Sequence, residues 1–265
     1  MYVHILYKNH GRLLLKIFLL TRKKLALALS VLASSIVVCV LIINSSMFLA
    51  NKKKLPIYRV KRDDKVVSIS FDAAWGNEYT RSLLDTLKKN NVKATFFLVG
   101  MWVDKYPDSV REIFNEGHDI GNHSDTHPHL PAENREVVRD QIESCNKKVE
   151  EITGKSPILF RPPYGDYDNK LIEELEKLNM YAIQWDIDTL DWKDKKCDEM
   201  CEIISKKLSP GSIILMHNGA RYTAESLDTI IKTITDAGYK IVPISEIIYK
   251  ENYKINSQGE QISKT

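Results

Sequence analysis

Cysteine is scarce in this chain, four among 265 residues, and no Cys-x-x-Cys pair occurs. A disulfide-dense secreted scaffold and a zinc ribbon are both excluded, so any metal chemistry must draw on histidine and carboxylates. Acids are missing altogether from residues 1–62, which carry twelve Lys or Arg; Asp63 is the first negative charge. The remaining 203 residues hold 26 basic and 35 acidic side chains, close to a net −9. Such a body repels nucleic acid, and no nucleic-acid partner is expected. Internal repeats and low-complexity tracts are absent as well, which sets aside solenoids and disordered arrays. With 43 % apolar residues, 11 Gly and 9 Pro over this length, one sizeable core is expected.

Residues 25–43, LALALSVLASSIVVCVLII, form a run of nineteen without a charge, with Arg22, Lys23 and Lys24 before it and Lys52, Lys53 and Lys54 after it. That length suffices to span a bilayer. Signal-peptide cleavage needs small residues at −3 and −1, but a cut after Ala50 places Phe48 at −3 and a cut after Ser45 places Ile43 there. The expectation is therefore a basic segment over 1–24, an uncleaved single-pass transmembrane anchor over 25–50, a linker over 51–64, a catalytic domain over 65–250 and a polar, frayed tail over 251–265. Six basic residues stand on each side of the run, so the positive-inside rule gives no orientation.

Within 65–250, seven β-type runs, at 66–71, 94–99, 119–122, 158–160, 182–187, 212–217 and 240–243, alternate with amphipathic helical stretches. The clearest helix has Val138, Ile142, Cys145, Val149 and Ile152 three and four apart, closed by Gly154 and blocked by Pro157. Strict alternation predicts an α/β fold with a parallel sheet, and seven units suit a small or incomplete barrel. In such folds chemistry gathers at the carboxyl ends of strands. Asp72, His123, His127, Arg161, Asp188, Asp191 and His217 all fall at those ends.

Four of the seven histidines lie within twelve residues: His118, His123, His127 and His129. His123 and His127 in HSDTHPH are four apart, so one helical turn would bring both imidazoles to one side, as two ligands of one divalent ion require. His118 and His129 are expected at the surface or behind the site. Asp72 ends the apolar run VVSISFD and needs a partner or a proton-transfer task. Arg161 in FRPPYGDY stands beside two prolines and could clamp a carboxylate in bidentate fashion, with Asp72 as its partner. Trp185, Asp186, Asp188, Asp191 and Trp192 resemble the wall of a sugar site. His217 closes SIILMH with a group suited to general acid work.

Read together, SFDAAWGNE, HSDTH, RPPYG, DTLDW and LMH resemble, in this order, the five motifs of the polysaccharide deacetylases. That family is carbohydrate esterase family 4, with a NodB homology domain, and Trp75, ATFFLVG and RPPYGDY are most similar to its sporulation-associated branch. The resemblance implies a distorted (β/α)7 barrel behind one N-terminal transmembrane helix. It implies hydrolysis of N-acetyl groups on peptidoglycan or a chitooligosaccharide-like glycan by a monomer outside the cell membrane, including the forespore intermembrane space. By the same resemblance Asp72 is the general base, His217 the general acid, His123 and His127 metal ligands, Arg161 the partner of Asp72, and Asp191 the tuner of the remaining charged pair. Tyr164 would offer its backbone N–H to the oxyanion, with Trp192 and Leu215 lining the acetyl pocket. The implied cofactor is a divalent metal, zinc first, with cobalt, nickel or manganese as alternatives. One departure stands out: the family's first motif carries two consecutive acids, the second being the third metal ligand, whereas here Ala73 follows Asp72. Two His ligands with waters, a substitute oxygen from Asp125 or Glu78, or Asp72 itself on the metal remain open. Weaker metal affinity and low or absent activity follow, up to a silent glycan-binding protein. A strongly acidic domain with few Lys or Arg expected at the cleft argues against a phosphorylated substrate.

Overall fold

The computed structural model describes residues 2–9, 12–19, 26–27, 29–40 and 53–264, and the chain divides into two compact units after Lys53. In the first, β1 (Tyr2–Asn9) pairs antiparallel with β2 (Arg12–Leu19), Asn9 facing Arg12. The basic segment thus contains a hairpin, built from strands rich in Tyr, Ile, Leu and Phe, several of them β-favouring types. Residues 26–27 and 29–40 are helical, with exposed apolar side chains such as Leu27, Val31 and Ile36. Among the described residues no helix is long and apolar enough to cross a membrane. The rest of the anchor expected at 25–50 lies outside the described residues.

The second unit runs, in order, through β3 (Arg59–Val60), β4 (Val66–Ala73), α1 (Thr80–Lys89), β5 (Thr95–Leu98), α2 (Gly100–Lys105), α3 (Pro107–Asn115), β6 (Asp119–Asn122), α4 (Arg135–Thr153), β7 (Leu159–Phe160), α5 (Asn169–Lys177), β8 (Tyr181–Ala182), β9 (Ile187–Asp188), α6 (Cys197–Lys207), β10 (Ile213–His217), α7 (Arg221–Asp236), β11 (Lys240–Ile241), α8 (Ile244–Ile247), β12 (Tyr253–Ile255) and β13 (Glu260–Ser263). Eight of these strands make one parallel sheet, β8-β7-β6-β5-β4-β10-β9, with β11 also on β4. This is a curled parallel α/β sheet consistent with a (β/α)7 barrel. All seven expected strands are present, and the fifth is divided into β8 and β9. Between those two, Asp186 turns its carboxylate onto the Ile213 N–H (2.7 Å) and the Ser212 hydroxyl (2.8 Å), so side-chain bonds replace a continuous strand ladder.

The space between β8 and β10 is filled by residues expected to be linker. Ile57 donates to the Ala182 carbonyl (2.8 Å) and accepts from the Gln184 N–H (2.7 Å), while Val60 donates to Gly211 (3.0 Å). Only glycine fits at 211, where φ is +79° and a Cβ would lie 1.7 Å from the Val60 carbonyl oxygen. β3 pairs with β13, and β13 with β12. The expectation of a frayed tail is corrected here: Gln261 is fully buried, and its side-chain amide accepts from the Tyr249 N–H (2.9 Å) and donates to the Tyr249 carbonyl (2.7 Å). A polar residue in that stretch is an internal partner, which composition alone does not reveal.

β4 explains where the site lies. Val67, Ile69 and Phe71 pack in the main core with Leu83, Leu84 and Leu87 of α1 and Leu227, Ile230 and Ile234 of α7. The period of two then puts Ser68, Ser70 and Asp72 on the opposite face. Ser68 and Ser70 satisfy their hydroxyls on the carbonyls of Val242 (2.7 Å) and Ile214 (2.8 Å). Asp72, at the strand's carboxyl end, opens onto the cleft.

Candidate active site

Every strand-end candidate named from the sequence lines, or stands directly behind, one cleft of about 850 Å³. Asp72, His123, His127, Tyr164, Asp188, Asp191, Trp192, Leu215 and His217 line it, and Arg161 lies fully buried behind Asp72. His118 is neither at the cleft nor at the surface. It is buried, accepts from the Ala94 N–H (3.1 Å), and burial pushes its pKa down to about 4. His129 is exposed, pairs with Asp166 at 2.6 Å and stacks on the Tyr164 ring.

His123 and His127 do meet, with ring centroids 4.9 Å apart, but no helical turn brings them together. Residues 123–129 are an irregular loop in which Ser124 (φ 67°) and His127 (φ 62°) are left-handed. Side chains hold that shape: Asn122 Oδ1 accepts from the Ser124 N–H (2.7 Å), the Ser124 hydroxyl from the His127 N–H (2.9 Å), and Gln141 Oε1 of α4 from the N–H groups of Asp125 (3.1 Å) and Thr126 (2.9 Å). His123 Nδ1–H donates to the Arg161 carbonyl (2.6 Å), which leaves Nε2 facing Asp72 Oδ2 at 3.5 Å.

Arg161 divides its fork instead of clamping one carboxylate. Nη1 donates to Asp72 Oδ1 (2.7 Å), Nη2 donates to the Gln184 carbonyl (3.2 Å), and the guanidinium lies 4.1 Å over the Phe97 ring. Gly121 makes room for that ring, since a Cβ there would sit 2.4 Å from Phe97. Burial alone would raise the Asp72 carboxyl, but the charge of Arg161, with smaller electrostatic help from the neighbouring His123 and His217 imidazoles, outweighs it and holds the acid below the usual carboxylate range. Across the cleft, Asp191 has no exposed side-chain surface and accepts from His217 Nδ1–H (2.8 Å), the His217 N–H (2.6 Å), the Trp192 N–H (2.9 Å) and the Thr223 hydroxyl (2.5 Å). Burial would lower His217, yet its bond to Asp191 and the charges of Asp191, Asp72 and Asp188 raise it above 6.5. Thr223 and Gln184 are supports that sequence reasoning missed; neither lies in a strand-end motif, and only the fold brings them in.

The donor set was tested against the divalent ion that the resemblance implies. Burial lowers both imidazoles, His127 to about 4 with His123 adding to the effect, so both are neutral as ligands must be. His127 Nδ1 is buried without a hydrogen-bond partner. A third donor besides Asp72, whose Oδ1 is held by Arg161 Nη1 (2.7 Å), is missing. Ala73 is buried in the main core, Asp125 is held by Lys148 at 2.7 Å, and the exposed Glu78 turns back onto the Asn77 N–H (2.9 Å). Among the described residues no group of three His, Cys, Asp or Glu is assembled to hold a metal. Two imidazoles without a third protein ligand do not fit a resident divalent ion.

Backbone strain gathers around the same cleft. Among the described residues eight non-glycine residues have positive φ, a region that Asn, Asp and His enter more readily than other types, and three of them, Asn91, Asn179 and Asn252, stand outside the cleft lining. The other five, Ser124, His127, Tyr164, Leu190 and Asp194, all stand in the loops that build the site. Such concentration marks loops shaped for a ligand and not for packing.

The family model "Polysaccharide deacetylase" matches residues 59–183. A peptidoglycan-N-acetylglucosamine deacetylase of Listeria monocytogenes is 34 % identical over 236 residues, 89 % of this chain and 48 % of that protein. The chain thus spans about half the length of the Listeria relative. A peptidoglycan-N-acetylmuramic acid deacetylase of Bacillus subtilis is 33 % identical over 198 residues, covering 73 % of this chain and 75 % of that one. Among solved structures, a family 4 pseudoenzyme of Bacillus anthracis is 36 % identical with a TM-score of 0.71, over 75 % of this chain and 70 % of that one, and a mutant of it with restored enzymatic activity has also been crystallised. These likenesses, at this coverage and on this cleft, show that the chain belongs to the polysaccharide deacetylase family, carbohydrate esterase family 4.

Proposed function

We propose that this protein acts on N-acetylated peptidoglycan outside the membrane as a slow N-deacetylase. The observation that carries the reading is that two opposed pairs, Asp72–Arg161 and His217–Asp191, face one cleft with pKa shifts of opposite direction. Asp72 is ionised at neutral pH and takes a proton from a water as that water attacks the acetyl carbonyl. The Tyr164 N–H is assigned to the oxyanion. His217, its pKa raised by its bond to Asp191, gives its proton to the nitrogen as the C–N bond breaks, leaving acetate and a free amine. With no third ligand beside His123 and His127, no step is routed through a metal, and turnover is low.

A second reading is favoured by Ala73 and by the likeness to a pseudoenzyme: the cleft holds the glycan and leaves it uncut. Mass spectrometry of muramidase-released peptidoglycan fragments, with and without the protein, separates the two. Acetate release that disappears in Asp72→Asn and His217→Ala supports hydrolysis; binding without release supports the silent form; neither binding nor release rejects the glycan reading. The apolar run 25–43 between basic flanks supports attachment to the membrane, and the site of the substrate supports an outward domain. In a spore-forming cell that orientation would include the forespore intermembrane space. Protease added to intact protoplasts should remove the domain and leave a membrane-bound stub; full-length protein surviving that treatment would reject the placement.

A further inference from the structure

In the unit that starts at Lys54, the exposed large apolar side chains are Trp75, Met101, Ile158, Tyr164 and Trp192. Three of the five, Trp75 (65 % exposed), Tyr164 (56 %) and Trp192 (55 %), line the same cleft. Exposed aromatics collected at one concave site mark a ligand surface. Tyr164 and Trp192 belong to motifs already given roles, whereas the Trp75 side chain has none.

Trp75 is carried on a backbone fixed from several sides. Its neighbour Gly76 is left-handed (φ 73°), and the Gly76 carbonyl accepts from Trp102 Nε1 (2.7 Å) and Asn218 Nδ2 (3.2 Å). Gly219 backs directly onto the Trp75 carbonyl, where a Cβ would lie 2.7 Å from the oxygen. The ring itself touches His127, centroids 4.8 Å apart at 66°, and remains mostly in solvent. An indole on so fixed a backbone and buried this little contributes little to the core. Its frame is preorganised for something that enters the cleft.

We infer that Trp75 is a stacking platform for a sugar ring next to the one whose acetamide faces Asp72 and His217. The inference rests on the glycan reading above and deepens it. Equatorially substituted hexosamines present apolar C–H faces, and an exposed aromatic ring is the side chain that matches such a face. Trp75 stands on the His127 side of the cleft. Trp192 stands on the His217 side, next in sequence to Asp191, which bonds His217. Walls on both sides of the reacting centre, and a volume of about 850 Å³ near the upper end of ligand pockets, select an internal segment of at least two sugars over a single sugar.

The test titrates full-length protein with N-acetylated disaccharide and tetrasaccharide fragments of peptidoglycan, comparing wild type, Trp75→Ala and Trp75→Tyr, with melting temperatures measured alongside. Wild type should bind the tetrasaccharide more tightly than the disaccharide. Trp75→Ala should weaken tetrasaccharide binding about tenfold and remove most of that length preference, Trp75→Tyr should retain most of it, and all three should melt together. Equal tetrasaccharide affinity in wild type and Trp75→Ala overturns the inference while the glycan reading stands. Failure of wild type to bind either fragment overturns both.

Discussion

Arg161 has no exposed surface, and its two amino groups serve different partners, Asp72 Oδ1 and the Gln184 carbonyl. Lysine in its place keeps a charge but has no planar fork to reach both. The carbonyl left unpaired in the interior would cost about 1–3 kcal/mol. Arg161→Lys is therefore expected to lower the melting temperature and to slow any deacetylation by at least about tenfold, equivalent to roughly 1.4 kcal/mol of barrier. A melting temperature equal to wild type would show that Gln184 finds another donor. A bidentate clamp on Asp72, as the sequence suggests, misses this, because the second acceptor comes from a residue 23 positions away. Ala73 invites the opposite experiment. Its carbonyl accepts from the Val99 N–H (3.1 Å) and Gly100 donates to the Ser124 carbonyl (2.9 Å), so the position is one strand away from the loop carrying both imidazoles. Ala73→Asp puts an unpaired carboxylate into the core, which destabilises unless a cation joins it to His123 and His127. With chelator the variant should melt below wild type; with zinc at about a hundred times Kd it should regain about 2.7 kcal/mol, and acetate release should rise. No response of its melting curve to zinc would show that residue 73 cannot complete a metal site.

The strands and helices were legible wherever one pattern decided them. The strands of VVSISFD and SIILMH end within one residue of their motifs, at Ala73 and His217, and α4 stops at Gly154 (φ 72°) ahead of Pro157. The loop from His123 to His129 was not legible, although its two functional histidines were. A spacing of four imitates a helical turn, while the actual path is set by Gln141, which comes from the following helix. Likewise the fifth strand looked continuous because Ile183 and Ile187 are apolar, but Gln184 and Asp186 make side-chain bonds that interrupt it. The loop makes a prediction at this scale. Gln141→Ala removes the acceptor of two backbone N–H groups and the Thr126 hydroxyl, so amide hydrogen exchange at Asp125 and Thr126 should speed up and fragment binding should weaken. Helix α4 itself, anchored by Val138, Ile142, Cys145 and Val149, should keep its protection. Gln141→Glu keeps an oxygen acceptor and should exchange like wild type. Faster exchange along all of α4 would mean that Gln141 supports the helix and not the loop.

At the scale of the whole unit, the parallel alternation was plain in the sequence and the closing of its ends was not. Residues 51–64 look like a charged linker and residues 251–265 like a polar tail, since neither has a long apolar run. Yet Ile57 and Val60 are buried, and they fill the space between β8 and β10 while β3 pairs with β13. The tail therefore supports the segment that completes the sheet on which Asp72, Arg161 and His217 are mounted. Gln261 is the centre of that support, because both bonds of its amide go to the backbone of Tyr249. Replacing it by alanine leaves the half-buried N–H and carbonyl of Tyr249 without their partner, at about 1–3 kcal/mol together. For a domain of this size a loss of about 2 kcal/mol lowers the melting temperature by roughly 4–8 °C. Gln261→Ala should show a fall of that order in a thermal melt followed by circular dichroism, and deletion of residues 251–265 a larger one, because it also removes the partner strand of β3. Both variants should lose stability as one cooperative transition, since Ile57 and Val60 pack with Ile183, Ile213 and Val242 of the same cluster. A deletion that melts with wild type would mean that the terminal strands lie on the domain without holding it.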